Sequence, residues 1–300
     1  MKFFLRIIYN FFAFLPDFVI KFLSLVLSFV LMRIVRFRRK IVEYNLDLVY
    51  GQNAWDQDFL KKIYRHFAYT ALELARQPAQ TTSELVKGVE LENEKHYQDA
   101  MKSGKGTLIL SGHFANWEKC IAKIAEMGKP VHVVIKDVKG FEEGYFSKTY
   151  REPHNVNALK KDGMVLKAIF KALKRGETVL MVMDQNSKRT EGCFVDFLGH
   201  SCSTYSSPLI VAAKTGASVV PTTAFRHEDN MLNQTVVFHK PMSFERNESD
   251  MESVQRNTQK VMDVLGAALM KYPAYWIWMH KRWKTRPNSE KESGLKINYS

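Results

Sequence analysis

Two side chains able to share a proton stand close together in the run His113-Phe114-Ala115-Asn116-Trp117-Glu118. Imidazole takes and gives a proton near neutral pH, and a neighbouring carboxylate fixes its tautomer and stabilises its charged form. The chemistry expected of this pair is general-base catalysis, with His113 the base and Glu118 the carboxylate that orients it. Geometry restricts how they meet. On one continuous helix a five-residue step turns about 500°, so the two side chains would diverge by roughly 140°. They meet only if His113 lies in a turn and Glu118 in the first turn of the following helix, with Asn116 as its N-cap. A structural reading stays open beside the catalytic one. Glu118 favours a helix N-terminus through the macrodipole alone, and a lone histidine is often a satisfied polar residue.

The flanking residues supply those elements. Residues 107–110 (Thr-Leu-Ile-Leu) read as a buried strand, and 119–126 as an amphipathic helix. The pair therefore stands at the carboxyl end of a strand, where α/β proteins place their chemistry. Further strands are expected at 86–91, 131–136, 178–183, 218–225 and 235–239; Asp184 stands at the end of one of them. Helices are expected at 44–77, 94–102, 164–173, 208–214 and 251–270, and one opens near 144–151 before Pro153 stops it. Strands alternating with helices predict an α/β layered sandwich, its central sheet largely parallel and flanked by helices.

Composition narrows the partners. The chain has 300 residues, with 44 Lys and Arg against 31 Asp and Glu, a formal net charge of +13. That charge suits nucleic acid, a membrane surface, or an acidic substrate or protein. Nucleic acid is disfavoured: no zinc-finger spacing, basic-region heptad or aromatic RNP-like strand is present. Cys120, Cys193 and Cys202 make an odd set without paired spacing, which argues against a disulfide framework and fits a reducing compartment. No CxxC, HExxH, GxSxG or Walker A spacing occurs, so neither a metal nor a cofactor is expected.

Residues 11–35 are strongly apolar but broken by Asp17 and Lys21, and the uncharged stretch 22–32 is about half of the roughly 20 residues a spanning helix needs. Arg33, Arg36, Arg38, Arg39 and Lys40 follow at once, a pattern that marks a cytoplasmic side and attracts anionic lipid. Arginines stand where a signal peptide would carry a small-residue cleavage site, so secretion is rejected. The expectation is a membrane anchor helix over 1–40, spanning the bilayer or lying in its interface, with a helix covering the domain's own core as the alternative. Residues 41–287 then form the catalytic domain and 288–300 a polar, flexible tail.

Gly112-His113-Phe114-Ala115-Asn116-Trp117-Glu118 resembles the His-x4-Asp/Glu signature of the glycerolipid acyltransferase superfamily, and its flanks resemble the lipid A late acyltransferase branch. That branch often carries Gly where this chain has Ala115. The resemblance covers most of the chain. It extends to Arg38-Arg39 through Asn45-Leu46, to Asp184-Gln185-Asn186 with 192–199, to 215–221, and to the aromatic-basic block 278–284. It implies O-acyl transfer at the cytoplasmic face of a bacterial inner membrane, from an acyl carrier protein (an acidic protein) or coenzyme A thioester to a lipid A precursor. It also implies substrate-binding roles for Asn116, Arg151, Asp184 and Gln185, and Lys188 and Arg189 are placed to meet phosphates. No acyl-enzyme is required: His113 deprotonates the acceptor hydroxyl, the oxygen attacks the thioester, and backbone amides or Arg151 stabilise the oxyanion. Turn chemistry at Asp184 and a surface salt bridge at Arg151 remain open.

Two other readings are carried. One keeps the chemistry and changes the acceptor to a lysophospholipid, an aminolipid or a glycolipid such as a phosphoinositol mannoside. The other is a non-catalytic basic membrane adaptor of the same fold. In the C-terminal block, Tyr275, Trp276, Trp278 and Trp283 suit either an interfacial belt or a half-buried strand. Packing is expected for Trp276 and Trp278, and surface positions for Arg282 and Lys284. His132, His239 and His280 have no evident partner in sequence and are read as structural.

Overall fold

A computed structural model of the chain describes residues 9–135, 145, 147–160, 163–244 and 250–288. Nine strands are described: β1 (Val89–Glu92), β2 (Thr107–Ser111), β3 (Val131–Ile135), β4 (Val156–Lys160), β5 (Thr178–Val182), β6 (Gly192–Phe197), β7 (His200–Tyr205), β8 (Ser218–Arg226) and β9 (Gln234–Phe238). Seven form one sheet in the order β1-β9-β8-β2-β5-β3-β4, and β6 and β7 form a separate hairpin. All pairings in the large sheet are parallel except β8 with β9. The central strands are buried on both faces, as a covered parallel sheet requires.

The helices are α1 (Asp17–Phe29), α2 (Arg39–Tyr50), α3 (Gln57–Arg76), α4 (Thr82–Val86), α5 (Glu94–Lys102), α6 (Trp117–Ala125), α7 (Val165–Lys174), α8 (Ser207–Thr215) and α9 (Met251–Lys271). The crossover from β2 through α6 to β3 and that from β4 through α7 to β5 run in opposite directions along the sheet. Right-handed crossovers therefore put α6 and α7 on opposite faces. Short α4 packs beside α6, while α8 packs on α7 and α9.

Strand register creates the site. Ser111 pairs with Val182 at the carboxyl ends of β2 and β5. The residues that follow each strand, 112–113 and 183–184, thus emerge side by side although they are far apart in sequence.

Several expectations change. The stretch 44–77 is two helices, because Gly51 (φ 94°) ends α2 and Asp56 caps α3 through Phe59 N. The segment before β1 is helical, opened by a Thr81/Glu84 capping box. Strand β4 and the β6–β7 hairpin were not expected; the hairpin turns through Leu198 and Gly199, both at positive φ (54° and 81°). The 144–151 helix is a π-helical turn at Ser147–Arg151, and Gly144 lies outside the described residues.

At the N-terminus α1 runs on into a π-helical turn, Val30–Ile34, and the chain then bends by 87° into α2. No single helix among the described residues is long and apolar enough to cross a membrane. Ile20, Ser24 and Ser28 are buried on the inner side of α1, where Ile20 clusters with Tyr69 and Leu72 of α3. Its outer side exposes Phe18, Phe22, Leu25, Val26 and Phe29. Residues 1–8 and 289–300, which carry the basic start and most of the expected tail, lie outside the described residues.

Candidate active site

The turn from β2 to α6 is shaped by close approach. A Cβ on Gly112 would come within 2.9 Å of the Asp184 carboxyl and 2.8 Å of the Phe114 ring, so only glycine fits. Ala115 is fully buried at φ 47°, a left-handed conformation that costs an L-residue about 1–2 kcal/mol. It is held there by its amide, which donates to Tyr275 O (2.8 Å), beside an isolated bridge between Phe114 and Trp276. Asn116 then caps α6, its Oδ1 accepting from Lys119 N at 3.3 Å.

His113 is fixed from β5. Its backbone amide donates to Asp184 Oδ2 (2.6 Å), and its Nδ1 lies 2.9 Å from Oδ1. Trp276 Nε1 also donates to Oδ2, at 2.8 Å. A carboxylate on Nδ1 places the ring proton there and leaves Nε2 as the lone-pair nitrogen. Gln185 Nε2 is 3.3 Å from it. Burial alone would depress the imidazole, but the Asp184 charge and hydrogen bond, and then the Glu118 charge, raise its pKa above the ordinary histidine value. Burial would conversely raise the Asp184 carboxyl; the His113 charge and the hydrogen bonds from His113 and Trp276 hold it down to about 2.

Glu118 does lie in the first turn of α6, with His113 in the preceding turn. The hydrogen bond that orients the ring nevertheless comes from Asp184, and Glu118 is engaged elsewhere. Its Oε1 accepts from Arg151 NH2 (2.5 Å) and from Trp117 Nε1 (3.2 Å). The reason is positional: the His113 amide and ring both reach the β5 carboxylate, while α6 directs Glu118 toward the Ser147–Arg151 turn. Glu118 acts on His113 through its charge. Arg151 is therefore not a surface pair; its side chain is 14% exposed and its Nε is buried without a hydrogen-bond partner among the described residues.

Behind the turn lies a buried charge cluster. Glu73 of α3 accepts from Arg226 of β8, from Asn116 Nδ2 (3.1 Å) and from Lys119 Nζ (3.4 Å). Two nearby cations hold its carboxyl below the usual range against the opposing effect of burial. Arg226 also reaches His66 Nδ1 (3.1 Å) and Thr70 Oγ1 (3.0 Å), and burial with the Arg226 charge keeps His66 well below its usual value. Gln234 Oε1 accepts from Asn116 N at 3.0 Å. Asn116, expected at the substrate, is fully buried with its side chain used on both sides, so it positions the turn instead.

Lys188 and Arg189 stand apart from this cluster. Lys188 pairs with Glu191 at 3.5 Å; Arg189 donates to Arg286 O (2.6 Å) and lies over the Phe194 ring. In the C-terminal block Trp276 and Trp278 are buried as expected, but the block is irregular rather than a strand. Arg282, expected at the surface, is fully buried, donating to Ser203 O (2.8 Å) and Thr204 Oγ1 (2.5 Å). The three histidines read as partnerless have partners. His132 meets Glu177 (2.7 Å), His239 meets Thr223 (2.9 Å), and His280 Nε2 accepts from Asn186 N (2.9 Å).

A narrow apolar cleft with a cavity of only about 20 Å³ lies between α6 and the sheet, lined by Gly112, Phe114, Trp117, Cys120, Ile124 and Leu180 among others. Glu73, Gln234 and Trp276 are the contributors that sequence reading missed as site residues. Glu73 had a signal: His66, Thr70 and Glu73 repeat at helical spacing on a face whose other members are apolar.

Comparison with known proteins gives the chain a family. Residues 1–285 match the family model described as bacterial lipid A biosynthesis acyltransferase. The chain is 24% identical over 261 residues to the lipid A biosynthesis lauroyltransferase of Escherichia coli (strain K12), covering 85% of this chain and 82% of that protein. It is 19% identical over 256 residues to the palmitoleoyltransferase of the same organism (84% and 81%). It is also 21% identical over 258 residues to the phosphatidylinositol mannoside acyltransferase of Mycolicibacterium smegmatis (84% and 81%). The family match spans the turn, the Asp184 block and the C-terminal tryptophans alike, and the chain belongs to the bacterial lipid A biosynthesis acyltransferases.

Proposed function

We propose that this acyltransferase moves a fatty acyl chain from a thioester, carried by acyl carrier protein or coenzyme A, to a hydroxyl of a lipid A precursor. The observation that carries the mechanism is the His113 ring, bonded through Nδ1 to buried Asp184 beside an apolar pocket. Nε2 takes the acceptor proton as the oxygen attacks the thioester carbonyl, and Asp184 stabilises the imidazolium. Arg151, held by Glu118 and with an Nε–H that has no partner among the described residues, is the donor for the developing oxyanion or an acceptor phosphate. The imidazolium then returns its proton to the departing thiolate. The apolar cleft beneath α6, which must open beyond its present size, is the seat for the distal part of the acyl chain.

The reaction belongs at the cytoplasmic face of the inner membrane, with the α1 aromatic row set into the interface and Arg33, Arg36, Arg38 and Lys40 at the headgroups. A mannosylated glycolipid is the second acceptor supported, by the match to the mannoside enzyme. His113→Ala tests the reading. Transfer to a lipid A precursor, followed by mass spectrometry, should be nearly abolished while the fold is kept; undiminished transfer overturns the base assignment. Mass spectra of lipid A from cells with and without the protein decide the acceptor.

A further inference from the structure

The exposed face of α7 carries a feature that the chemistry above does not use. Outside the N-terminal row, the exposed large apolar side chains among the described residues are Met164 (59%), Leu166 (48%), Met251 and Met270. The last two stand at opposite ends of α9, whereas Met164 and Leu166 sit together at the start of α7. Along the same helix Lys167, Lys171 and Lys174 follow at spacings of four and three, so they share a face. All three are exposed, α7 contains no acidic residue, and none of the three has a hydrogen bond or ion pair among the described residues. Arg175, at the end of the row, is neutralised by Glu177 (2.6 and 2.7 Å). The inner face, Ile169, Ala172 and Leu173, is buried.

The helix begins at the catalytic edge of the sheet. Lys160, the last residue of β4, pairs with Ile135; Val133 pairs with Leu180, and Ser111 with Val182. Lys160 is therefore level with Ser111 three strands away, about 14 Å at ordinary strand spacing. Helix α7 opens at Val165, five positions further along the sequence. Helix α7 packs on α8 and on β3, β4 and β5, whereas lipid-facing α1 packs on α3.

Building on the thioester donor of the proposed function, we propose that Lys167, Lys171 and Lys174, with Met164 and Leu166, form the docking face for an acidic carrier protein. An uncompensated basic row next to a small apolar knob complements an acidic protein surface. With the start of the helix level with the catalytic edge and the lysine row leading away from it, a docked carrier can feed a flexible thioester arm past Met164 and Leu166 to His113 while α1 stays with the lipid.

The test uses the full chain in lipid–detergent micelles with an acyl-carrier thioester and a lipid A precursor. The triple variant Lys167→Glu/Lys171→Glu/Lys174→Glu should raise KM for the carrier about tenfold and keep kcat, a difference that shrinks near about 0.5 M salt. Lys167→Gln/Lys171→Gln provides a milder pair should the triple variant fold poorly. Leu166→Ser should raise KM without changing its salt dependence. An unchanged KM in folded variants overturns the docking face and leaves the proposed function standing. Weaker binding to phosphatidylglycerol vesicles with unchanged KM likewise overturns it and assigns the face to lipid. A wild-type chain that transfers from coenzyme A but not from the carrier removes the donor itself, and the docking face with it.

Discussion

His113 is joined to Asp184 twice, by its backbone amide to Oδ2 and by its ring Nδ1 to Oδ1, across 71 positions of sequence. One fully buried carboxylate thus sets both where the ring sits and which of its nitrogens carries the proton. Removing it disturbs both at once. Asp184→Asn should lower kcat about 10²–10⁴-fold, the usual range for a general-base arrangement. Retention of wild-type kcat would show that the ring needs no such partner.

The pH profile separates the two carboxylates. A base works unprotonated, so activity rises with pH through the His113 pKa, which is raised above the ordinary value of about 6.5. The Asp184 charge contributes more to that rise than the Glu118 charge. Asp184→Asn should therefore move the acid limb of kcat further toward low pH than Glu118→Gln does. Stability has its own sign. Asp184 is depressed on folding, so its contribution is present above the unfolded carboxyl pKa near 4 and is lost as pH falls toward about 2. The raised His113 contributes below about 6.5 and loses that contribution as pH rises through its folded value. A larger shift of the acid limb in Glu118→Gln would reverse the assignment of the two acids.

Gly112 tests the same relationship sterically. A methyl group there overlaps the Asp184 carboxyl and the Phe114 ring, both within 3 Å. Gly112→Ala should cut activity at least tenfold by displacing that carboxylate, and should cost about 1–3 kcal/mol, as overpacking does. Chemical denaturation together with initial rates measures both. A fully active, equally stable variant would mean that the turn has slack.

The pocket beneath α6 makes a prediction about chain length. Cys120 lines it from one helical turn beyond Trp117. Cys120→Phe fills that space and should shift preference toward shorter chains. Each methylene excluded forfeits about 0.8 kcal/mol, roughly fourfold in kcat/KM. Competition between thioesters of different length reads this directly. An unchanged preference would place the acyl chain elsewhere.

Much of this was legible in sequence. The buried run before His113, the cap at Asn116 and the helix after it follow from local pattern, and all are present. Asp184 was recognisable as a strand-end residue, but its pairing with His113 was not. That contact depends on β5 lying beside β2 in one register, and Glu118 was simply the nearer acid along the chain. Strand β4 was missed because its burial is partial and its composition mixed. Arg282 was misread because a cation beside tryptophans in sequence gives no hint that Ser203 and Thr204 will surround it.

The cluster behind the turn should dominate stability. Glu73 is buried with Arg226 and Lys119, so losing its charge strands two buried cations. Glu73→Gln should destabilise the fold by about 3–5 kcal/mol. The exposed Lys61–Asp58 pair, at 56% and 78%, provides the comparison: water screens it, and Asp58→Asn should leave stability close to wild type. Equal effects in urea denaturation would mean that the buried network carries no special weight.

The outer side of α1 predicts how the chain meets a bilayer. Phe18 and Phe22 are 72% and 63% exposed, while Ile20, between them in sequence, and Ser24 are buried against the protein. A helix covered on one side by its own domain can offer only the other side to lipid, which favours lying in the interface over spanning. Replacing Phe18 and Phe22 by Ser should weaken vesicle binding by at least about 1 kcal/mol each, about fivefold. A tryptophan introduced by Phe22→Trp should be quenched most by lipids brominated near the headgroups, about 5–10 Å into the leaflet. Strongest quenching at the bilayer centre would establish a spanning helix and require α1 to leave α3.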